Sequence, residues 1–386
     1  MLPGWLRRLA GTLLLAGPFQ AAFAAEEVVL IDVRGAIGPA TSAYVAKSLL
    51  DAEARSAELV VARIDTPGGL DTSMRAIVKS INASVLPVVG YVAPSGARAA
   101  SAGTYILYAS HVSAMAPGTN LGAATPVELG GFPGGGPPGP EKDGVPPDGD
   151  SERTGAQGGD AKKNKLVNDA VAYIRSLAQL RGRNAEWAET AVRLGASLPA
   201  EEALQLGVVD LIARDLDDLL VQLDGRRVEL PGGERILATQ GRVVVELEPD
   251  WQSRLLSIIS NPNVAYILLL VGIYGLVYEF SNPGAVLPGT VGAVSLVLAL
   301  YAFQLLPINY AGAALMLLGI ALMVAEAFVP SFGALGVGGI AAFVVGSLIL
   351  IDTDAPGFGL SVPLVMTLAT LSALLLAAII GMAVRS

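Results

Sequence analysis

The chain has 386 residues, of which 53% are apolar and only 15% charged, with a mean hydropathy of +0.57; soluble domains carry about 25% charged residues, so part of the chain lies in lipid. Cysteine is absent and histidine occurs once, at His111, which excludes disulfides, thiolate metal sites, cysteine nucleophiles and every two-histidine zinc motif. A formal charge of −9 without a long run of Lys or Arg excludes a nucleic acid partner, because phosphate binding needs a concentrated basic surface.

From the N-terminus, Arg7 and Arg8 precede the apolar run Leu9 to Phe19, and small residues follow in Ala22-Phe23-Ala24. This is the pattern of a secretory signal over residues 1–25. The run is short for a permanent span, and whether cleaved or kept it exports the segment from Glu26 onward.

Val28 to Val33, Leu59 to Asp65 and Pro87 to Val92 are short runs rich in Val and Ile. The stretches between them, Thr41 to Ser56 and Thr72 to Ala83, carry apolar residues at helical spacing. This alternation predicts an α/β domain with parallel strands, whose working groups gather at the carboxyl ends of the strands. After the second strand stands Asp65-Thr66-Pro67-Gly68-Gly69-Leu70. Two glycines let the backbone approach a ligand and leave amide N–H groups free to hold a developing oxyanion, although a tight turn into a helix reads the same way.

After the third strand comes Arg98-Ala99-Ala100-Ser101-Ala102-Gly103-Thr104. Small residues around Ser101 leave room for a substrate carbonyl, and a helix beginning there aims its positive end at that oxygen. Ser101 is therefore a candidate nucleophile, while a Ser/Ala/Gly segment also permits close packing of a helix on the sheet. His111, on the predicted strand His111 to Met115, has no second histidine beside it. It reads as structural, and a Ser-His-Asp triad is not expected.

From Gly130 to Gly149 most positions are Gly or Pro, and the remainder through Asp160 is polar or charged, which predicts a flexible insert over 130–160. Because it separates Ser101 from the lysines beyond it, a dyad across it is expected to assemble poorly without substrate or a partner subunit. Lys162, Lys163 and Lys165 open an amphipathic helix with Leu166, Val167, Ala170, Val171, Ile174, Leu177 and Ala178 on one face. A lysine can act as base when burial or a positive potential, such as a helix's first turn, disfavours its charge. Spacing does not choose among the three, and a solvated basic cluster is the plain alternative.

Pro199 to Leu206 reads as a short helix ended by Gly207, before a strand at Val208 to Ile212. Residues 226–260 read as a β-rich connector followed by an amphipathic helix, Asp250 to Ser260, lying at the membrane surface through Trp251, Leu255, Leu256, Ile258 and Ile259. From Leu255 to Ser386 only five residues are charged, Glu279, Glu326, Asp352, Asp354 and Arg385. Apolar stretches near 264–280, 285–306, 311–329, 334–351 and 362–384 predict a membrane domain of about five helices over 261–386. Five crossings after an exported domain place Arg385 in the cytoplasm and the two aspartates outside. Recurrent Gly and Ala, as in Gly333 to Gly339, suit close helix packing in lipid, and Glu279 and Glu326 at span ends read as interfacial rather than as buried ion sites.

The runs Asp65 to Leu70, Arg98 to Thr104 and Met115-Ala116-Pro117-Gly118-Thr119-Asn120-Leu121-Gly122-Ala123-Ala124 resemble, in this order, the long form of the NfeD family. The resemblance covers the signal segment, the protease region to about residue 215 and the membrane helices. It implies a membrane-anchored serine endopeptidase that cleaves hydrophobic segments with a Ser-Lys dyad. The implied fold is an exported α/β ClpP-like, crotonase-type (ββα superhelix) domain over 26–225, followed by an all-α membrane bundle. By the same resemblance Ser101 is the nucleophile and Lys165 the base, since Lys165-x-x-Asn168 followed by Ile174-Arg175-Ser176-Leu177-Ala178 resembles the segment that bears it. Gly69 and Ala102 become the oxyanion donors, with Gly68 shaping the turn. No metal and no cofactor are implied.

The resemblance further implies a multi-pass protein of the inner cell membrane with its protease domain on the extracytoplasmic side, self-association of that domain, and a stomatin-like membrane protein as substrate or partner. Long-form members continue past the membrane helices into a small OB-fold β-barrel, whereas this sequence ends at Ser386, after the last apolar run. No ATP-binding motif occurs, so an unfolding motor is expected to be another chain. Two rival readings remain. A crotonase-type fold can carry acyl-thioester chemistry, which export to a compartment poor in coenzyme A disfavours. The alternative is a non-catalytic membrane scaffold partnering stomatin-like proteins, with Ser101 only a packing residue.

Overall fold

The computed structural model describes residues 27–126, 153–281, 284, 286–329, 333–351 and 357–385, without the side chains of 153–162, 281, 327–328 and 375–385. The signal segment, residues 130–152 of the insert, and Asp352 and Asp354 lie outside the described residues. The chain begins with β1 (Val28–Arg34), α1 (Pro39–Ala54), β2 (Leu59–Asp65), α2 (Asp71–Ala83), β3 (Val88–Val92), β4 (Arg98–Ala100), α3 (Ala102–Ala109), β5 (Val112–Met115) and β6 (Asn120–Gly122). It continues with α4 (Arg153–Leu180), α5 (Ala185–Arg193), β7 (Ser197–Pro199), α6 (Ala200–Gln205), β8 (Leu211–Ile212), α7 (Leu216–Leu223), β9 (Arg227–Leu230), β10 (Gly233–Ile236), β11 (Val244–Glu246) and α8 (Trp251–Ile259). The apolar helices are α9 (Pro262–Ser281), α10 (Leu287–Leu305), α11 (Tyr310–Phe328), α12 (Ala334–Leu350) and α13 (Val362–Arg385).

Six strands form one parallel sheet in the order β11-β1-β2-β3-β5-β8. Both of its faces are covered, which is why the strands read as unbroken apolar runs rather than alternating ones. Val29, Ile31 and Val33 pack with α1, α2, α3 and α4 on one side. Val28 and Leu30 pack with α7 and the β9–β10 hairpin on the other. A second sheet, β4-β6-β7, stands apart from the first and is tied to it by a bridge between Thr66 and Ala99. That bridge brings the end of β2 beside the start of α3.

Two expectations change. The helix bearing the lysines begins at Arg153, so residues 153–160 of the predicted flexible insert are helical. Lys162, Lys163 and Lys165 then lie well inside α4, beyond the first turn to which the dipole effect is confined. The stretch read as a connector also contributes β11 to the edge of the main sheet, with Val28 opposite Val244 and Leu30 opposite Glu246. Directly after it, Asp250 caps α8 and pairs with Lys47 of α1 at 2.6 Å; that contact holds its carboxyl well below the usual carboxylate range.

All five apolar helices occur where the sequence places them, and α9 and α10 each present 19 residues long and apolar enough to cross a bilayer. They form two hairpins, α9–α10 and α11–α12, that repeat each other: Gly272, Gly292 and Leu296 of the first stand at one constant sequence offset from Gly319, Gly339 and Phe343 of the second. A Cβ on Gly292 would lie 2.9 Å from the Leu276 nitrogen, and one on Gly339 2.9 Å from the Met323 nitrogen, so helix backbones touch at both seams. Glu279 and Glu326 occupy equivalent places. Glu326, near the end of α11, is buried within the protein, and its carboxylate accepts from the amides of Gly333, Leu335 and Gly336 as a cap on α12. In the first hairpin the residue matching Leu335 is Pro288, which has no N–H to give, and Glu279 accepts instead from Gly284 at 3.3 Å.

Candidate active site

Ser101 is the residue between β4 and α3, and its φ of 51° and ψ of −114° are unusual for a side chain with a Cβ. The strain is held from three sides. The Ser101 amide donates to the Gly122 carbonyl at 2.8 Å. Thr104, fully buried one turn on, donates its hydroxyl toward the Ala99 and Gly122 carbonyls at 2.8 and 3.0 Å and accepts from the Gly122 amide at 3.1 Å. Against its other flank lies Gly68, where a Cβ would stand 2.6 Å from the Ser101 Cβ and 3.1 Å from its Oγ. The Ser101 hydroxyl does not cap the helix it precedes. It is partly exposed at the positive end of α3.

The glycine turn is built with the same redundancy. Buried Thr66 donates its hydroxyl to the Gly35 carbonyl at 2.6 Å and accepts from the Gly68 amide at 3.0 Å. The Ile37 amide donates to the Gly68 carbonyl and the Leu70 amide to the Ile37 carbonyl, each at 2.8 Å, so Gly69 is bridged to Ile37. A Cβ on Gly69 would meet the Ile37 oxygen at 2.2 Å; only glycine fits. In this parallel bridge the Gly69 amide itself faces away from Ile37. The Gly69 and Ala102 amides donate to no acceptor among the described residues.

The lysine side differs. Lys165 is exposed on α4, and no hydrogen bond joins it to Ser101. Lys163 is exposed as well, and the Lys162 side chain is not described. One turn past Lys165, Asp169 accepts from Arg75 of α2 at 2.6 Å, and Arg75 also pairs with Asp71 at 2.8 Å. The Arg75 guanidinium lies 4.3 Å from the Tyr173 ring centre, and Tyr173 stacks on Tyr105 of α3 at 5.9 Å. Burial raises the pKa of Tyr105 and Tyr173, so both phenols stay neutral. Asn168 accepts from Arg193 of α5 at 3.1 Å. The flank of α4 that carries Lys165 thus runs beside the N-terminus of α2, the helix that starts just after the glycine turn.

His111 stands at the far end of α3, its Nδ1 accepting from the Val88 amide at 3.1 Å. Burial first, then Arg181 and Arg183, depress its pKa to about 3, so the imidazole is neutral and structural. No cluster that could hold a metal occurs among the described residues. A cavity of about 240 Å³ lies at the carboxyl ends of β1 and β3, lined by Arg34, Arg63, Tyr91 and Arg214 among others, but not by Ser101. The structure brings Ser101 and Ala102 beside Gly68 and Gly69, and joins Lys165 to none of them by a hydrogen bond. Sequence reasoning missed Thr66, Thr104 and Ile37, although both threonines stand inside the motifs it quoted.

A strained serine at a helix start thus stands beside a glycine turn on an α/β domain that is joined to an apolar helical region. Residues 263–382 match the NfeD integral membrane domain and residues 27–134 the NfeD1b N-terminal domain. The chain belongs to the NfeD family of membrane proteins. It is 37% identical over 329 residues to the membrane-bound protease PH1510 of Pyrococcus horikoshii, covering 84% of this chain and 68% of that protein. To the membrane protein NfeD1b of Bacillus subtilis it is 28% identical over 334 residues, covering 82% and 66%. Two solved structures of 1510-N, a membrane-bound stomatin-specific protease, share its ClpP-like fold at 35% identity. A lysine-to-alanine mutant in complex with a substrate peptide has a TM-score of 0.51, covering 61% of this chain and 98% of that one. A serine-to-alanine mutant has a TM-score of 0.50, covering 58% and 99%.

Proposed function

We propose that this chain is a membrane-tethered serine endopeptidase working through Ser101 and Lys165. The observation that carries the reading is the backbone at Ser101: a strained position packed on Gly68, with the Gly69 and Ala102 amides donating to no acceptor among the described residues. In the mechanism, the Lys165 amine, acting as general base, takes the proton of the Ser101 hydroxyl as the oxygen attacks the scissile carbonyl. The Gly69 and Ala102 amides hold the oxyanion, worth about 10²–10³ in rate per donor. The lysine then gives its proton to the leaving amine, and water hydrolyses the acyl-enzyme by the same steps in reverse. Relatives solved as serine-to-alanine and lysine-to-alanine mutants, the latter with a substrate peptide, support the pairing of these two residue types.

The substrate is a hydrophobic segment of a stomatin-like membrane protein, as the description of the 1510-N relatives as stomatin-specific suggests. Contact between the α12–α13 turn and the α/β domain, with Phe358 against Gly38, supports a topology in which that turn lies on the domain's side of the bilayer. With five crossings the C-terminus lies opposite the protease domain; the reading takes the domain as outside because of the export-signal pattern, and divides the chain into 26–225, 226–260 and 261–386. Self-association of the protease domain completes the reading.

The exposure of Lys165 favours one rival, a membrane scaffold in which Ser101 only packs. Incubation of the purified chain with hydrophobic peptides and mass mapping of the products separates the two. Cleavage that disappears in both Ser101→Ala and Lys165→Ala, with fluorophosphonate labelling at Ser101, supports the protease; no cleavage or labelling even with peptide present supports the scaffold.

A further inference from the structure

We infer that Phe358, in the turn between the last two membrane helices, is a positioning residue for the active site: it braces the Ile37 main chain, which in turn sets the Gly69 amide. The inference rests on the protease reading and adds to it a physical link from the membrane domain to the oxyanion donors.

Phe358 is 5% exposed although it belongs to a turn, its ring lying against Gly38 within an apolar cluster that joins Leu70 to residues of the membrane helices. A Cβ on Gly38 would come within 2.7 Å of the Phe358 Cζ, so the ring lies on the bare α-carbon at the start of α1. A Cβ on the neighbouring Gly357 would stand 2.7 Å from the Ala36 Cβ. The turn therefore touches both residues that flank Ile37. It shares an apolar cluster with Leu70, itself 5% exposed, directly after the glycine pair. Ile37 is held between two surfaces: the membrane-domain turn outside, and the glycine turn inside through its hydrogen bonds to Gly68 and Leu70. Gly69 rests so closely on the Ile37 main chain that a Cβ there would lie 2.2 Å from the Ile37 oxygen and 2.5 Å from its nitrogen. Gly68 then abuts Ser101.

The other end of the turn is fixed to the first membrane helix, where the Ser361 amide donates to Asn263 Oδ1 at 2.9 Å. Tethering alone does not require this arrangement, since β11 and α8 already join the two parts of the chain. A rearrangement of α9 or α13 is transmitted through Phe358 to an amide whose placement matters at the ångström level. A misplacement of about 1 Å costs about 10²-fold in rate.

The test uses the full chain in detergent or bilayer discs, comparing wild type with Phe358→Ala and Phe358→Leu. In Phe358→Ala the Ile37 and Leu70 amides should exchange hydrogen about tenfold faster while those of β2 and β3 are unchanged. Fluorophosphonate labelling of Ser101 and the kcat for peptide should fall about 10–100-fold with KM within about threefold, and Phe358→Leu should recover to within about threefold of wild type. Unchanged exchange at Ile37 and Leu70, faster exchange across the whole sheet, or an unaltered kcat overturns the positioning role. A wild type that neither labels nor cleaves sinks the protease reading instead, and the exchange data, which need no catalysis, show separately whether the brace exists.

Discussion

Ser101 sits in backbone fixed by Gly122, Thr104 and Gly68, each a buried or close contact, whereas Lys165 stands on an exposed flank of α4 whose nearest anchors are Asn168, Asp169 and Tyr173. On the serine side, the backbone around the Ser101 hydroxyl is held by contacts within the chain itself. On the lysine side, one turn of helix separates the amine from the first residue held by another element. The comparison teaches that the two halves of the proposed dyad are prepared differently: the backbone around Ser101 is fixed by buried contacts, whereas Lys165 is exposed and shares no hydrogen bond with Ser101.

The largest expected effect breaks the comparison outright. Both Ser101→Ala and Lys165→Ala should lower peptide cleavage by at least about 10⁴-fold, since dyad members act as a unit. A lysine variant with wild-type turnover would show that an amine elsewhere, or none, does the work. Next comes the frame behind the serine. His111 is neutral in the folded chain because its pKa is depressed to about 3, so below the ordinary value of 6.5 the unfolded chain binds a proton that the native one refuses. Stability is full above pH 6.5 and lost as pH falls toward 3, on the order of a few kcal/mol, and His111→Gln should flatten that slope in denaturant titrations. Because it is the only histidine, imidazole resonances of labelled protein report it directly.

A smaller effect sharpens the serine side. At Gly68 φ is +117° and a methyl group would strike Ser101, so Gly68→Ala should cost about 10²-fold in kcat while the fold persists. The smallest belongs to the lysine side. With Asp169 and Arg75 both substantially exposed, Asp169→Asn should change unfolding free energy by no more than about 0.5 kcal/mol, and a cost several times larger would mean that α4 is held as firmly as the serine segment.

Much of the fold was legible because its signals are local. The Val/Ile runs of β1, β2 and β3, the helical spacing of α1 and α2, and the five apolar helices all declare themselves within their own windows. The β4-β6-β7 sheet does not, since three-residue strands have no periodicity and exist only through pairing with one another and with Thr66. Residues 153–160 read as low complexity because their glycines lower helix propensity, yet the amphipathic stretch that follows carries the helix back through them. Other signals were present and passed over. Asn184 caps α5 and Asp215 caps α7 by accepting from the amide three residues on, and the repeated Glu-to-Gly spacing of the two membrane hairpins stands in the sequence. In the candidate site, residue types revealed the serine and the glycines. The exposure of Lys165 and the brace at Ile37 depend on how distant segments pack, which no spacing along the chain records.

The last strand of the sheet is also the first step toward the bilayer. Since β11 lies parallel to β1 at the sheet edge and runs on through α8 into α9, a pull on the anchor acts along the strand. Its three register pairs then share the load in shear instead of opening one after another, and the Lys47–Asp250 contact bears part of it. A domain hung from its membrane in this way keeps its sheet closed under tension.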